Sequence, residues 1–206
     1  MNSTMRLLTP GDYRVMPWKN GGGTTTGIHI HPEGADWNEF DWRVGIADIA
    51  QSGPFSSFPG IDRSIMLLDC PAGSEMQLTI DGSVIDLPLQ QFVDFAGEST
   101  AIGTLTGAPV RDFNVMSRRA RIRHRCGFRV LAKGESLQLD DGAWHFVYLR
   151  SGEAEARAGD VKQTLSAGHS LVHSGGHPAF VVSGLSGCGA VWATFTTLES
   201  RLRSSG

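Results

Sequence analysis

An arginine delivered to the start of an apolar strand could grip a carboxylate through two parallel N–H donors. Arg63, in "GPFSSFPGIDRSIMLL", stands in such a position. The loop before it is stiffened by Gly53, Pro54, Pro59 and Gly60 and carries Phe55, Ser56, Ser57 and Phe58. A pair with Asp62, or another surface ion pair, is the competing use of the same side chain. A second stretch, "PWKNGGGTTT", runs from Pro17 to Thr26. Gly21, Gly22 and Gly23 permit positive φ and close backbone approach, and the N–H groups of such a loop can form an anion-binding nest. Lys19 adds a point charge, Asn20 a donor and acceptors, and Trp18 a flat apolar wall, a set that suits a small carboxylate. A plain turn is the alternative. The stretch is no phosphate loop, since no G-K-[ST] follows the glycines, and no dinucleotide fingerprint occurs. In a third stretch, "GAPVRDFNVMSRR", a strand would put Arg111, Phe113 and Val115 on one face and Asp112, Asn114 and Met116 on the other. That polar face suits a barrel mouth or open solvent.

The histidines invite a metal reading and support it weakly. His29 and His31 have H-x-H spacing, but Glu33 follows too closely across Pro32, and "LLDCPAGSEMQLTIDG" holds no histidine. An exposed edge strand is the plainer expectation for them. His169, His173 and His177 recur at spacings of four, with Gly175 and Gly176 breaking any helix that would align the last pair; His145 is the other local candidate. No metal or other cofactor is expected. For nucleophilic catalysis there is no G-x-S-x-G elbow, and none of Cys70, Cys126 and Cys188 carries a local catalytic signature.

The elements that must position these groups are strands. "FDWRVGIADI" alternates Phe40, Trp42, Val44 and Ile46 against Asp41, Arg43, Gly45 and Ala47. "EMQLTIDGSVIDLPL" reads as a hairpin turning at Asp81-Gly82. "SIMLLDC", "QQFVDFAG", "FRVLAKG", "SLQLDDG", "AFVVSGL" and "GAVWATFTTL" add further short strands, and "AWHFVYLRSGEAEARAGDVKQTLSAGHSLVHSGG" contains several. Such spacing fits an all-β chain of sandwiches or barrels, with few and short helices. A division near residue 120 gives an N-terminal barrel, 1–120, and a C-terminal barrel, 121–206, packed as one unit with strands open to exchange between them.

The bulk composition sets outer bounds. Of 206 residues, 40% are apolar and 19% charged, enough for a substantial core. A formal net charge of −3 gives no general attraction to nucleic acid or an anionic membrane. The local exception, "SRRARIRHR", alternates Arg119, Arg121, Arg123 and Arg125 against Ala120 and Ile122 and reads as a solvated strand face. Three separated cysteines without a C-x-x-C pair favour a reducing compartment. No apolar run approaches the roughly 18–20 residues that span a bilayer, and no secretory signal opens the chain. A soluble, cytoplasmic protein is the expectation.

Together "MPWKNGGGTTT", "DWRVGIADIAQSGPFSSFPGIDRSIMLL" and "GAPVRDFNVM" closely resemble the HutD/Ves family of small bacterial proteins, over roughly residues 5–120. The resemblance implies a bicupin, two cupin-like β-barrels in one chain. It implies a non-catalytic protein that restrains histidine utilisation by binding a pathway carboxylate, urocanate or N-formylglutamate; other members carry a stress-induced label. A cupin-type enzyme, metal-dependent or metal-free, acting on a small carboxylate is the alternative. The matched positions nominate Trp18, Lys19, Asn20, Gly21, Gly22, Ser56, Phe58, Arg63, Asp112 and Asn114 as ligand-binding, with Arg63 and Lys19 facing the anion. Gly27 departs from the family pattern, which has an acidic residue after the threonines. Nucleic acid and membrane are not expected partners. A homodimer would suit sheets of this kind, which often bury an edge or face between subunits.

Overall fold

The computed structural model describes residues 4–18, 21–36, 39–175 and 179–198. Its strands in chain order are β1 Thr4–Leu8, β2 Arg14–Pro17, β3 Gly23–His31, β4 Trp42–Ile49, β5 Gly53–Pro54, β6 Ile61–Asp69, β7 Glu75–Ile80, β8 Ser83–Asp86, β9 Val93–Ala96 and β10 Ala101–Thr106. They continue as β11 Val110–Arg118, β12 Ile122–Leu131, β13 Ser136–Leu139, β14 Trp144–Ser151, β15 Glu153–Ala158, β16 Val161–Ser166, β17 Ser170–Ser174, β18 Phe180–Gly184 and β19 Cys188–Thr197. A 3-10 turn, Pro10–Asp12, is the one helical element among the described residues. The chain divides into a unit of Arg14–Ala120 and a unit of Arg121–Gly206 joined by Met1–Tyr13. The described residues before Arg14 lie with the second unit, where β1 pairs antiparallel with β17.

In the Arg14–Ala120 unit a six-stranded sheet, β2-β3-β4-β11-β6-β9, packs on a four-stranded sheet, β5-β10-β7-β8. Ala47, Ile49, Ile65, Leu67 and Val110 of the larger sheet meet Met76 and Leu78 of the smaller one. Strand β7 alternates as a half-buried strand should, with Met76 and Leu78 inward. The hairpin to β8 turns at Asp81 and Gly82, whose φ values of 48° and 84° are those of the tight Asp-Gly turn. The central strands β4, β6 and β11 are different, being buried on both faces.

Opposed residues of neighbouring antiparallel strands point to the same side, so register assigns the faces. One row across the large sheet is Met16–Thr25–Ala47–Asp112–Leu67; the next is Arg14–Gly27–Gly45–Asn114–Ile65–Val93; the third includes Ile30–Arg43–Met116–Arg63–Phe95. Ala47, Ile65 and Leu67 belong to the core between the two sheets, so this is the inner face. Trp42, Val44 and Ile46 lie on the other.

Register corrects three expectations. Gly23 to Thr26 are the start of β3 rather than part of a loop. Gly23 is required there by crowding: an added Cβ would lie 2.3 Å from the Asp48 carbonyl oxygen and 3.2 Å from the Trp18 ring. β3 is also no edge strand, since it runs between β2 and β4, and His29 and His31 pack on the Trp42 ring at 4.9 and 5.6 Å. Finally, "SRRARIRHR" is not one strand, because β11 ends at Arg118 and β12 begins at Ile122. Arg119 at that break pairs with Asp62 and Glu98. Asp62 is thereby used, and Arg63 is left to turn inward.

In the second unit a five-stranded sheet, β1-β17-β14-β19-β12, packs on β13-β18-β15-β16. Its core includes Leu131, Val147, Leu149, Leu165, Leu171, Phe180 and Val182. β15 shows the period of two plainly, with Ala154, Ala156 and Ala158 inside and Glu153, Glu155 and Arg157 between them. Tyr13 ties the N-terminal segment down by donating to the Gly168 carbonyl at 2.7 Å and reaching Ser170 Oγ at 3.0 Å.

Candidate functional site

The inner face of the first unit's large sheet holds an unusual load of polar chemistry for a β-barrel interior. Arg63 of β6 is 4% exposed and Asp112 of β11 is 0% exposed. Arg43 of β4 and Asn114 of β11 share that face, and both are largely withdrawn from solvent. The remaining lining is aromatic. The Arg63 guanidinium carbon lies 4.9 Å from the Phe95 ring centre, 5.4 Å from Phe58 and 5.5 Å from Phe55. Arg43 lies 5.0 Å from both Phe40 and Phe58, so both guanidiniums approach the Phe58 ring. Such faces attract a guanidinium and fix its plane. Arg63 Nη1 donates to the Ser56 carbonyl at 3.2 Å, and Arg43 Nε donates to Met116 Sδ at 3.1 Å.

Burial weighs on every charged group here. Burial pushes Arg43 down to about 9, helped by the neighbouring charge of Arg63, and pushes Arg63 down to about 10 against the pull of Asp112. A guanidinium with these values still carries its proton at neutral pH. Asp112 is pushed up to about 7 because burial outweighs the attraction of Arg63 and the help of the Ala47 backbone. Among the described residues Asp112 is the carboxyl that faces Arg63 in this buried interior, where Coulomb forces are strong. Arg63 Nε, both carboxylate oxygens of Asp112 and Asn114 Oδ1 are buried without a hydrogen-bond partner of good geometry. Leaving such groups unsatisfied costs roughly 1–3 kcal/mol each.

That cost has a measurable pH signature. As pH rises from about 4 to about 7, the unfolded chain gives up the Asp112 proton while the folded chain keeps it. The folded state loses stability across this window. Asp112→Asn removes the slope, so the variant should be more stable than the parent at pH 8 and gain much less at pH 4.5. Urea unfolding at both pH values reads this, and equal gains at the two would contradict a neutral buried carboxyl.

The nominated residues fall into three groups. Phe58, Arg63, Asp112 and Asn114 come together in the barrel interior, and the backbone carbonyl of exposed Ser56 reaches Arg63. Trp18 donates its indole N–H to Thr25 Oγ1 at 2.8 Å, over the row that contains Asp112, and joins Phe55 and Met76 around a cleft of ≈ 340 Å³, open solvent included. Gly22 lines that cleft too, while Gly21 is exposed. Lys19 and Asn20 lie outside the described residues. Arg43 was missed, although its alternation with Gly45 and Ala47 was in view. Trp42, Val44 and Ile46 of the other face looked like the core side, with Phe40 read in line with them although it packs beside Arg43.

Elsewhere, Arg111 is a surface residue held by Asp48 at 2.9 Å. His145 and His173 of the second unit face each other, Nδ1 to Nδ1, at 3.1 Å, and the Phe180 ring stacks on both. His169 instead accepts from the Ser166 backbone N–H at 3.4 Å. His177 lies outside the described residues. Among the described residues no group of three or more His, Cys, Asp or Glu is placed to hold a metal ion. None of their helices is long and apolar enough to cross a membrane.

Two antiparallel double-sheet units, the first with a polar interior, define a cupin-like all-β protein. A cupin 2 conserved barrel domain protein from Leptotrichia buccalis shares the fold at a TM-score of 0.54, with 10% identity over 82% of this chain and 87% of its own. The family is more specific: the HutD family pattern matches residues 11–188, and the chain belongs to that family. HutD from Pseudomonas fluorescens SBW25, in a formate condition, superposes with a TM-score of 0.77 and 28% identity, covering 94% of this chain and 99% of its own. An uncharacterized 21.2 kDa protein of the hutC 3' region in Pseudomonas putida is 42% identical over 125 residues, 60% of this chain and 63% of its own length. Protein Ves of Citrobacter koseri is 39% identical over 144 residues, 65% of this chain and 73% of its own.

Proposed function

We propose that this chain is a non-catalytic binding protein whose first barrel takes up a small carboxylate, and that it regulates histidine utilisation by sensing a pathway carboxylate such as urocanate or N-formylglutamate. The observation that carries this reading is Arg63, buried among Phe55, Phe58 and Phe95 with its Nε lacking a hydrogen-bond partner. An anion entering there would give the Arg63 guanidinium both a counter-charge and an acceptor. Formate, the condition described for Pseudomonas fluorescens HutD, is the simplest carboxylate, and the Pseudomonas putida relative is named for its place beside hutC. Asn114 and the Ser56–Phe58 segment complete the ligand shell, with Trp18 walling the side near Thr25. The protein works in the cytoplasm, without nucleic acid or membrane as a partner, and a homodimer is the assembly such sheets would favour.

A thermal-shift series of histidine-pathway intermediates tests the reading. A ligand at 100 times its Kd adds about 2.7 kcal/mol to the folded state, an easily read rise in Tm. A flat response to every carboxylate in the series would remove it. One observation favours a second reading, an enzyme acting on a small carboxylate: Asp112, at about 7, has the proton affinity of a general acid–base group. Turnover of a bound carboxylate, abolished in Asp112→Asn, would select that reading.

A further inference from the structure

The surroundings of Arg63 leave no open way to it. The residue is 4% exposed, and the rings of Phe55, Phe58 and Phe95 all stand within 5.5 Å of its guanidinium carbon. A solute that is to meet the unpartnered Nε must displace one of the three rings. Two of them are held. Phe95 stands in the β6–β9 ladder directly opposite Arg63. Phe58 donates its N–H to the Gly97 carbonyl at 2.7 Å, and a Cβ added at Gly97 would lie 2.5 Å from the Phe58 carbonyl oxygen and 3.1 Å from its Cβ. The Phe58 ring is also shared between Arg63 and Arg43.

Phe55 is held differently. Its backbone is anchored, the N–H donating to the Ala101 carbonyl at 2.8 Å, but its half-buried ring rests on bare backbone. A Cβ at Gly103 would lie 2.8 Å from Phe55 Cε2 and closer still to the Met76 methyl, so the side chain that Gly103 lacks leaves the slot in which the ring sits. Gly103 is opposite Leu78, which places the slot on the inner face of the smaller sheet, the face turned toward the core. The same ring borders the cleft that Trp18, Ile49 and Met76 line, ≈ 340 Å³ with open solvent included. A change of Phe55 rotamer can carry the ring from slot to cleft with the backbone left in place.

Resting on the reading of Arg63 as a binding group, we propose that Phe55 is the gate of the first unit's interior: its ring swings out of the slot over Gly103 into the cleft beside Trp18, and solutes reach Arg63 through the space it leaves. The passage is one phenyl ring wide, so Phe55 also sets a size limit on what enters.

Covalent labelling tests the gate without a ligand. Butane-2,3-dione reacts with a guanidinium that it can touch, and peptide mass spectrometry on the full chain reads its rate at Arg63 against that at exposed Arg157. Labelling through an opening follows the population of the open form, so Phe55→Ala should speed it at Arg63 about tenfold or more and leave Arg157 unchanged. Gly103→Ala, which denies the ring its slot, should act in the same direction; Phe55→Leu serves where the alanine variant does not fold. Phenylglyoxal, a bulkier reagent, should lag behind the dione at Arg63 in the parent and gain more from Phe55→Ala. Both rates should be flat in urea too dilute to unfold the chain. An Arg63 as slow in Phe55→Ala as in the parent overturns the gate, and so does a rate that climbs in dilute urea as global unfolding does. Because labelling uses no carboxylate, accelerated labelling beside a flat thermal-shift series keeps the gate and removes the carboxylate reading. Unaltered labelling beside a clear thermal shift does the reverse.

Discussion

Arg63→Ala is expected to weaken carboxylate binding by about 1.5–3 kcal/mol, roughly 10- to 150-fold, the scale of a lost charge-assisted hydrogen bond. Arg63 is the better of the two arginines to remove because its Nε is already free of protein partners. Arg43 remains in the variant, so the loss is not total. Arg63→Lys sharpens the result: it keeps a positive charge but not the planar fork, and should fall between parent and alanine. The parent and both variants are compared by calorimetry with one demonstrated ligand. If alanine binds as tightly as the parent, Arg63 is no part of the site.

Mild acid should destabilise the second unit as pH falls from 6.5 toward 4. Only one proton fits between His145 Nδ1 and His173 Nδ1 at 3.1 Å, so the neutral pair needs one ring to donate and the other to accept. Burial pushes His145 down to about 4, with His173 adding to the effect, and lowers His173 as well. An unfolded histidine titrates near 6.5. Below that pH the unfolded chain takes up protons that the folded chain refuses, so stability falls as pH drops from 6.5 toward 4. Each such proton contributes a slope of about 1.4 kcal/mol per pH unit. Urea midpoints between pH 7 and 4.5 should show this slope, and His145→Gln should flatten it by about one proton. An unchanged slope in that variant would mean the acid response arises elsewhere.

What the sequence disclosed follows from how locally each feature is encoded. The β7–β8 hairpin and the alanine face of β15 are written in consecutive residues and could be read directly. β1 could not, since its partner β17 lies some 170 residues away and nothing local distinguishes Thr4–Leu8. Arg63, Asp112 and Asn114 were nominated from motifs, but only register showed that they share an inner face. Arg43 escaped because β4 is buried on both sides, and a period of two cannot rank two buried faces. The opening glycines misled for a related reason: Gly23 answers the close approach of Asp48 and Trp18, a tertiary demand that looks like loop composition in one dimension.

The bond from Arg63 Nη1 to the Ser56 carbonyl joins the barrel's interior to its outside. Ser56 and Ser57 are exposed, and Phe58, one residue further on, lies against both guanidiniums. A ligand that draws Nη1 toward itself lets go of the loop, and one that leaves Nη1 in place keeps it fastened. On the proposed carboxylate-binding reading, occupancy inside would alter a surface segment, Ser56 and Ser57, that a partner could touch without meeting the ligand.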